Sequence, residues 1–288
     1  MLGQRRRIRE LPFHQLLPNM LTVLALCAGL TAIRFGFQQR WELAVAAIVG
    51  AAVLDSLDGR VARKLGGTTK FGAELDSLSD FLCFGVAPGI LVYLWSLNAL
   101  GGFGWVLALL YAVCAALRLA RFNTRIGMTD LPYWAGNYFT GMAAPAGAGA
   151  ALLPMMLSFE FGPTVFAQPL LNAVVLVGVG ALMISRLPTF SFKMMRVPHR
   201  WVMPALLGVG LLAALLATAP WATLSGIMLV YIGTIPLALK SYREKLAETP
   251  AADPAEAAEE GEQRAFEPLP ETADEAGTAR NGEPPRLS

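Results

Sequence analysis

The sequence predicts an all-α fold, a polytopic bundle of transmembrane helices, from its composition, its long apolar stretches and the placement of its basic residues. Of the 288 residues, 55% are hydrophobic and only 15% are charged, whereas soluble domains carry about 25% charged residues. A helix needs about 20 residues to cross a membrane core roughly 30 Å thick, and eight stretches are long and apolar enough. They lie near 18–37, 42–62, 73–98, 103–123, 139–158, 166–186, 201–219 and 221–240.

Basic residues indicate the orientation of these eight stretches. Arginines and lysines precede the first stretch and cluster after the second, fourth, sixth and eighth, while the opposite connections carry only Arg34 and Arg40. Because positive loops stay in the cytoplasm, we expect both termini there. The sequence therefore predicts a multi-pass protein of the cell inner (plasma) membrane, with any site near residues 55–80 at the cytoplasmic face.

Three regions differ in composition. Residues 1–17 are basic, and 10–17 could form a short interfacial helix against anionic headgroups. Residues 18–245 form the membrane domain. Residues 246–288 are rich in Ala, Glu and Pro and predict a disordered acidic tail.

The three cysteines, Cys27, Cys83 and Cys114, lie in apolar stretches without metal-ligand spacing. We interpret them as small buried hydrophobic residues.

Four aspartates interrupt the apolar pattern between residues 55 and 80. Asp55 and Asp58 are three residues apart near the end of the second stretch, and Asp76 and Asp80 are four apart at the start of the third. Residues at these spacings share one face of a helix, and the glycine-rich connection between the pairs allows a sharp turn. We therefore expect two carboxylate-bearing faces to oppose each other.

Four close carboxylates repel one another unless cations or protons neutralise them. Oxygen ligands without His or Cys suit Mg²⁺ or Mn²⁺. Four carboxylates exceed the usual needs of one Mg²⁺ ion, so the pattern favours two ions, an arrangement that clamps phosphoryl groups during displacement.

Residues beside the aspartates fit a phosphate group. Gly59 allows close approach to the backbone, Arg63 can donate two hydrogen bonds to phosphate, and Thr69 adds a hydroxyl in the connection. Each also has a structural interpretation: helix packing for Gly59, membrane topology for Arg63 and a loop turn for Thr69.

Residues 55–80, DSLDGRVARKLGGTTKFGAELDSLSD, resemble the CDP-alcohol phosphotransferase pattern D-x2-D-G-x2-A-R-x8-G-x3-D-x3-D at every fixed position. The resemblance implies a six-helix catalytic core and a dinuclear metal site formed by Asp55, Asp58, Asp76 and Asp80. Asp80 would also be the general base. It further implies that CDP-diacylglycerol contacts Gly59, Arg63 and Thr69, together with the stretch Pro18, Asn19, Met20 and Leu21.

Segments 17–33, 116–123, 138–150 and 185–193 resemble the bacterial, serine-using members of that family, apart from Ala25 and Ala143. This likeness implies transfer of a phosphatidyl group from CDP-diacylglycerol to the hydroxyl of L-serine, which gives phosphatidylserine and CMP. Expected partners are these two substrates and membrane lipids, with a homodimer allowed and no nucleic acid. Alternative acceptors are glycerol 3-phosphate, inositol and choline. An ion-coupled transporter is a more distant alternative, because intramembrane carboxylates also mark ion pathways.

A serine acceptor needs a cation for its carboxylate. Arg118 and Arg121 share a helix face, Arg186 follows the sixth stretch, and Asn123 is a polar neighbour. Arginine can clamp a carboxylate through two hydrogen bonds. The same residues could instead determine topology or bind headgroups.

Small residues in the fifth stretch predict close helix packing. They are Gly141, Pro145, Gly147 and Gly149. A kink at Pro145 would open room for an acyl chain.

Overall fold

The computed structural model describes residues 13–65, 69–125, 138–185, 188–190 and 202–248. The described residues up to Tyr242 form one compact unit. Within the described residues, the α-helices are α1 Phe13–Phe37, α2 Trp41–Leu65, α3 Lys70–Asp80, α4 Ala87–Trp95, α5 Gly102–Arg125, α6 Ala144–Phe161, α7 Pro163–Phe166, α8 Pro169–Ile184, α9 Val202–Thr218 and α10 Pro220–Glu248. A π-helical turn, Phe81–Val86, joins α3 to α4, and a 3₁₀ turn, Leu97–Leu100, joins α4 to α5.

The fold is a bundle of apolar helices of the kind found in membrane proteins. In the described part of the chain, four helical segments are long and apolar enough to cross a membrane: Leu17–Phe37, Lys70–Trp95, Gly102–Thr124 and Pro220–Ala238. The shorter apolar helices are Pro169–Ile184 and Val202–Thr218. Each of the eight predicted stretches contains a helix, but eight crossings and the orientation of the termini remain predictions.

The beginning of the chain differs in detail from expectation. Residues 13–17 are the first turns of α1 and continue into it without a break. The interfacial helix predicted at 10–17 overlaps this start of α1 and stays a prediction, and its residues 10–12 lie outside the described part. Of the acidic tail predicted at 246–288, the residues after Glu248 also lie outside the described part.

The fifth stretch starts later than predicted. Residues 138–140 form strand β1, Tyr138–Thr140, which pairs antiparallel with β2, Pro188–Phe190. Gly141 follows with a φ of 77°, a left-handed conformation that glycine adopts readily. The predicted kink at Pro145 is wrong, because this residue lies in the first turn of α6, where proline removes no helical hydrogen bond.

Small residues allow the helices to pack closely. A Cβ built on Gly29 of α1 would lie 2.5 Å from Cys83 Sγ, and one on Gly147 of α6 would lie 2.9 Å from a methyl of Met183. The packing predicted for Gly147 is thus confirmed. Cys83 and Cys114 are buried as expected, whereas Cys27 is exposed on α1, so its predicted burial is wrong.

The π-helical turn directly follows Asp80. Its Phe84 carbonyl accepts a 2.9 Å hydrogen bond from the hydroxyl of Tyr111 on α5, and Tyr111 is only 1% exposed. Buried carbonyls outside regular α-helical pairing need such a donor. Tyr111 therefore fixes the segment after Asp80 against α5.

Candidate active site

Three of the four aspartates meet between α2 and α3. One carboxylate oxygen from each of Asp55, Asp76 and Asp80 lies within 4.8 Å of the other two, and all three residues are half-buried. Asp55 and Asp80 are within hydrogen-bonding reach of each other. The two helix faces therefore oppose each other as the spacing predicts, and their charges converge on one point.

This convergence fits a divalent cation. Carboxylates this close repel strongly in a partly buried site, and a cation of double charge relieves the repulsion. The three residues offer oxygen ligands only, which hard ions such as Mg²⁺ and Mn²⁺ prefer. The triad can therefore hold a metal ion, and its donor set matches the predicted class of ion.

Asp58 stands apart from the triad. Its side chain is only 4% exposed, and its Oδ2 accepts a 2.7 Å hydrogen bond from Thr22 Oγ1 on α1. Gly59 contributes a backbone hydrogen bond to the same carboxylate. The structure thus groups three of the four aspartates, and the role of Asp58 as a metal ligand stays a prediction.

Thr22 connects three helices at this point. Besides the bond to Asp58 on α2, its hydroxyl lies 3.1 Å from the carbonyl oxygen of Pro18 in its own helix. The carbonyl oxygen of Thr22 accepts a 3.3 Å hydrogen bond from Ser79 on α3. Sequence reasoning missed Thr22 although it named residues 18–21. The available signal was its position four residues after Pro18, on the same helix face.

The start of α3 explains the positions of Asn19, Thr69 and Gly72. Thr69 is the N-cap of α3, and its hydroxyl accepts a 3.0 Å hydrogen bond from the Gly72 amide. A Cβ built on Gly72 would lie 2.7 Å from Asn19 Oδ1. Glycine at this position therefore admits Asn19 of α1 beside the first turn of α3.

The other residues predicted to bind the donor lie on α1 and α2. Arg63 reaches back over Gly59, where a built Cβ would lie 3.8 Å from its Nη1. Pro18 is buried, Leu21 is half-buried and Met20 is 53% exposed. This second group of residues belongs to the same end of α1, α2 and α3 as Asp58.

A cavity of about 470 Å³ opens beside the carboxylate triad. Its wall comprises residues of α2, α3, α5 and the start of α6: Asp55, Ala73, Glu74, Asp76, Ser77, Asp80, Arg118, Leu119, Phe122, Asn123, Ala143 and Pro145. A carboxylate cluster, a cation and an amide therefore share one concave space.

Only some of the predicted acceptor residues line this cavity. Arg118 does, and its guanidinium carbon lies 5.4 Å from the centre of the Phe122 ring. It is also close enough to Asp80 to interact electrostatically. Arg121 instead donates a 2.5 Å hydrogen bond to the carbonyl oxygen of Ile184 on α8 and is not part of the cavity wall. Arg186 lies outside the described residues.

Asn123 joins α5 to α3, the helix that carries Asp76 and Asp80. Its Nδ2 donates a 2.9 Å hydrogen bond to Ser77 Oγ, and Ser77 in turn donates to the carbonyl oxygen of Ala73. Sequence reasoning missed Ser77, although its position between Asp76 and Asp80 was a signal.

Comparison with known proteins fits this geometry. A family model described as CDP-alcohol phosphatidyltransferase matches residues 15–185, more than half of the chain and every helix that contributes to the site. The chain belongs to the CDP-alcohol phosphatidyltransferase family. A second model, described as CDP-alcohol phosphatidyltransferase 2, matches residues 200–236.

Three curated members of this family illustrate the similarity, and each is named CDP-diacylglycerol–serine O-phosphatidyltransferase. The Mycobacterium leprae protein is 38% identical over 252 residues, 88% of this chain and 84% of that protein. The Helicobacter pylori protein (strain ATCC 700392 / 26695) is 32% identical over 219 residues, 75% of this chain and 88% of that protein. The Bacillus subtilis protein is 37% identical over 177 residues, 62% of this chain and 91% of that protein.

Proposed function

We propose that this CDP-alcohol phosphatidyltransferase transfers the phosphatidyl group of CDP-diacylglycerol to the hydroxyl of L-serine, giving phosphatidylserine and CMP. The observation that carries the proposal is the convergence of Asp55, Asp76 and Asp80 on a cavity that also contains Arg118. Related proteins whose names state this reaction match 75–88% of the chain at 32–38% identity.

The carboxylates would hold two ions, Mg²⁺ or Mn²⁺. Asp55, Asp76 and Asp80 would be ligands, and Asp58 would complete the set from one turn along α2. Bound ions would neutralise the charge of the donor diphosphate and of the departing CMP. Thr22 would orient the Asp58 carboxylate through its 2.7 Å hydrogen bond, because partners of metal ligands fix ligand geometry.

Asp80 is our candidate general base. It lines the cavity at the end of α3, so an acceptor hydroxyl entering the cavity can reach its carboxylate. Asp80 would take the hydroxyl proton as the serine oxygen forms its bond to the phosphorus that carries diacylglycerol. The bond from that phosphorus to the CMP oxygen would break, and CMP would leave with the electron pair.

The cytidine diphosphate end of the donor would lie on one side of the carboxylates and its acyl chains on the other. Gly59, Arg63 and Thr69, with the 18–21 stretch of α1, would contact its cytidine diphosphate end. An apolar groove of about 360 Å³ between the π-helical turn, α4 and α5 would receive an acyl chain. Phe81, the residue after Asp80, lines this groove, so the acyl chain would run from near the reacting centre along α5.

Arg118 would bind the carboxylate of serine. Arg121 is less suited to this role because its guanidinium is already bonded to the Ile184 carbonyl. Arg118 instead lines the cavity beside the Phe122 ring, and its charge interacts with Asp80 and Tyr231.

The site would face the cytoplasm, where serine and CMP are dissolved. This placement requires the cytoplasmic termini and eight crossings predicted from the basic connections. A homodimer in the plasma membrane, and no nucleic-acid partner, remain predictions of the sequence.

CMP release tests the proposed function. Purified protein would be incubated with CDP-diacylglycerol and Mg²⁺ or Mn²⁺, with serine, glycerol 3-phosphate, inositol or choline as acceptor. We expect CMP and phosphatidylserine with serine. Release with glycerol 3-phosphate or inositol and none with serine would assign another acceptor. No release with any acceptor would contradict the reaction itself.

A further inference from the structure

Glu74 contributes a carboxylate to the cavity that the proposed mechanism does not use. It occupies one of the three free positions between Gly72 and Asp76 in the family pattern and lines the same cavity as Arg118. At 3.6 residues per turn, Glu74 lies about 60° from Ser77 around α3 but about 160° from Asp76. Its carboxylate is accordingly not part of the metal-binding triad.

Glu74 and Arg118 face one cavity with opposite charges. In the described part of the chain the two form no ion pair with each other, and the Arg118 charge interacts with Asp80 instead. The Phe122 ring lies beside the Arg118 guanidinium, and Glu74 is an exposed residue of the cavity wall. A cation and an anion that do not pair with each other in one concave space match a ligand that itself carries both charges.

Asn123 adds a hydrogen-bond acceptor near Glu74. Its Nδ2 is committed to Ser77 Oγ at 2.9 Å, which leaves the amide oxygen as the group that can accept a further hydrogen bond. Ser77 is the neighbour of Glu74 one turn along α3. Glu74 and Asn123 therefore both line the cavity next to Ser77.

We propose that Glu74 is a specificity-determining residue that, with the amide oxygen of Asn123, binds the ammonium group of an amino-acid acceptor. This proposal rests on the proposed function, in which Arg118 binds the acceptor carboxylate and Asp80 receives the hydroxyl proton. Glycerol 3-phosphate and inositol have no ammonium group, and choline has a quaternary one without N–H donors. Glu74 thus favours serine over each of these acceptors.

Two variants of Glu74 test the proposal, with Glu42→Gln as the matched control. Glu42 is an exposed carboxylate in the first turn of α2 and does not line the cavity. For Glu74→Gln we expect the KM for serine to rise about tenfold, the scale of one charge-assisted hydrogen bond. Glu74→Lys should raise it further by repelling the ammonium. The kcat and the KM for CDP-diacylglycerol should stay near those of the wild type in Glu74→Gln.

Inhibition by two fragments of serine shows which group Glu74 binds. Ethanolamine keeps the ammonium and lacks the carboxylate, and its inhibition constant should rise in Glu74→Gln. The constant for 3-hydroxypropionate, which lacks the ammonium, should not change. Equal weakening of both fragments, or an unchanged KM for serine, would overturn the role of Glu74. Wild-type enzyme that releases CMP with another acceptor but not with serine would instead refute the proposed function.

Discussion

Thr22 Oγ1 donates a 2.7 Å hydrogen bond to Asp58 Oδ2 across 36 residues of sequence, and both side chains are 4% exposed. A buried carboxylate needs such donors to hold one orientation. Ser79 binds the carbonyl oxygen of the same threonine. Thr22 therefore sets the position of Asp58 relative to the helix that carries Asp76 and Asp80.

Removal of the Thr22 hydroxyl should weaken catalysis without unfolding the protein. Thr22→Val keeps the shape but removes the side-chain donor to Asp58, and loss of such a partner typically costs about tenfold to a hundredfold in metal affinity or activity. The measurement is CMP release as a function of Mn²⁺ concentration. Thr22→Ser, which retains the hydroxyl, should restore most of the activity. Equal activity of Thr22→Val and wild type at low Mn²⁺ would contradict this role.

Much of the architecture follows from the sequence because one strong constraint acts on it. Apolar stretches of about 20 residues must be helical in a membrane, and each predicted stretch contains a helix. Strand β1 was not predicted, because the three residues Tyr138–Thr140 show too little periodicity to distinguish a strand from a helix. Its pairing with β2 depends on residues fifty positions away in sequence.

The sequence likewise predicts one part of the site and not another. The spacing of Asp55, Asp76 and Asp80 predicts their meeting, because helix geometry and a tight connection leave few alternatives. Sequence could not separate Arg118 from Arg121, since residues three apart share a helix face. Their difference arises from the Ile184 carbonyl on α8, a tertiary contact that no local pattern records.

Replacement of Asp80 tests its proposed role as base. Asp80→Asn keeps the size of the side chain but cannot accept the hydroxyl proton, so kcat should fall by about a hundredfold or more. Binding of CDP-diacylglycerol at saturating Mn²⁺ should persist, which equilibrium binding of the labelled donor can measure. Glu42→Gln serves as a control for the loss of one carboxylate. Full turnover by Asp80→Asn would exclude Asp80 as the base.

The two arginines should respond differently to the same substitution. Arg118→Gln should raise the KM for serine by about tenfold or more, because a charged partner of the substrate carboxylate is lost. Arg121→Gln should leave that KM near wild type and lower the midpoint of thermal unfolding, because its bond to Ile184 links α5 to α8. Steady-state kinetics and thermal unfolding in detergent measure the two effects. A larger serine KM for Arg121→Gln than for Arg118→Gln would reverse the assignment.

Removal of the Tyr111 hydroxyl should destabilise the π-helical turn that follows Asp80. Tyr111→Phe leaves the buried Phe84 carbonyl without its 2.9 Å donor, and such a loss costs about 1 kcal/mol. We expect a lower unfolding midpoint and a moderately reduced kcat, with little change in either substrate KM. Tyr93→Phe is the matched control, because Tyr93 is only half-buried at the other end of α4. An identical unfolding midpoint for Tyr111→Phe and wild type would show that this bond does not stabilise the π-helical turn.

The apolar groove along α5 should determine how the enzyme uses donors of different chain length. Ala112 lines this groove, whose α5 wall runs from Trp105 to Leu117, about 18 Å along the helix. Ala112→Trp should therefore displace part of a bound acyl chain. Burial of a methylene is worth about 0.8 kcal/mol, so loss of two would raise the KM for a long-chain donor about fifteenfold.

A short-chain donor separates this effect from general damage. The KM for CDP-dihexanoylglycerol should change little in Ala112→Trp, because a six-carbon chain does not extend far along the groove. Leu110→Trp is the matched control, since Leu110 is 45% exposed on α5 and does not line the groove. If Ala112→Trp raised the KM of both donors equally, or Leu110→Trp had the same effect as Ala112→Trp, the acyl chain would have to lie elsewhere. A selective effect of Ala112→Trp on the long-chain donor would place the acyl chain in the groove between the π-helical turn, α4 and α5.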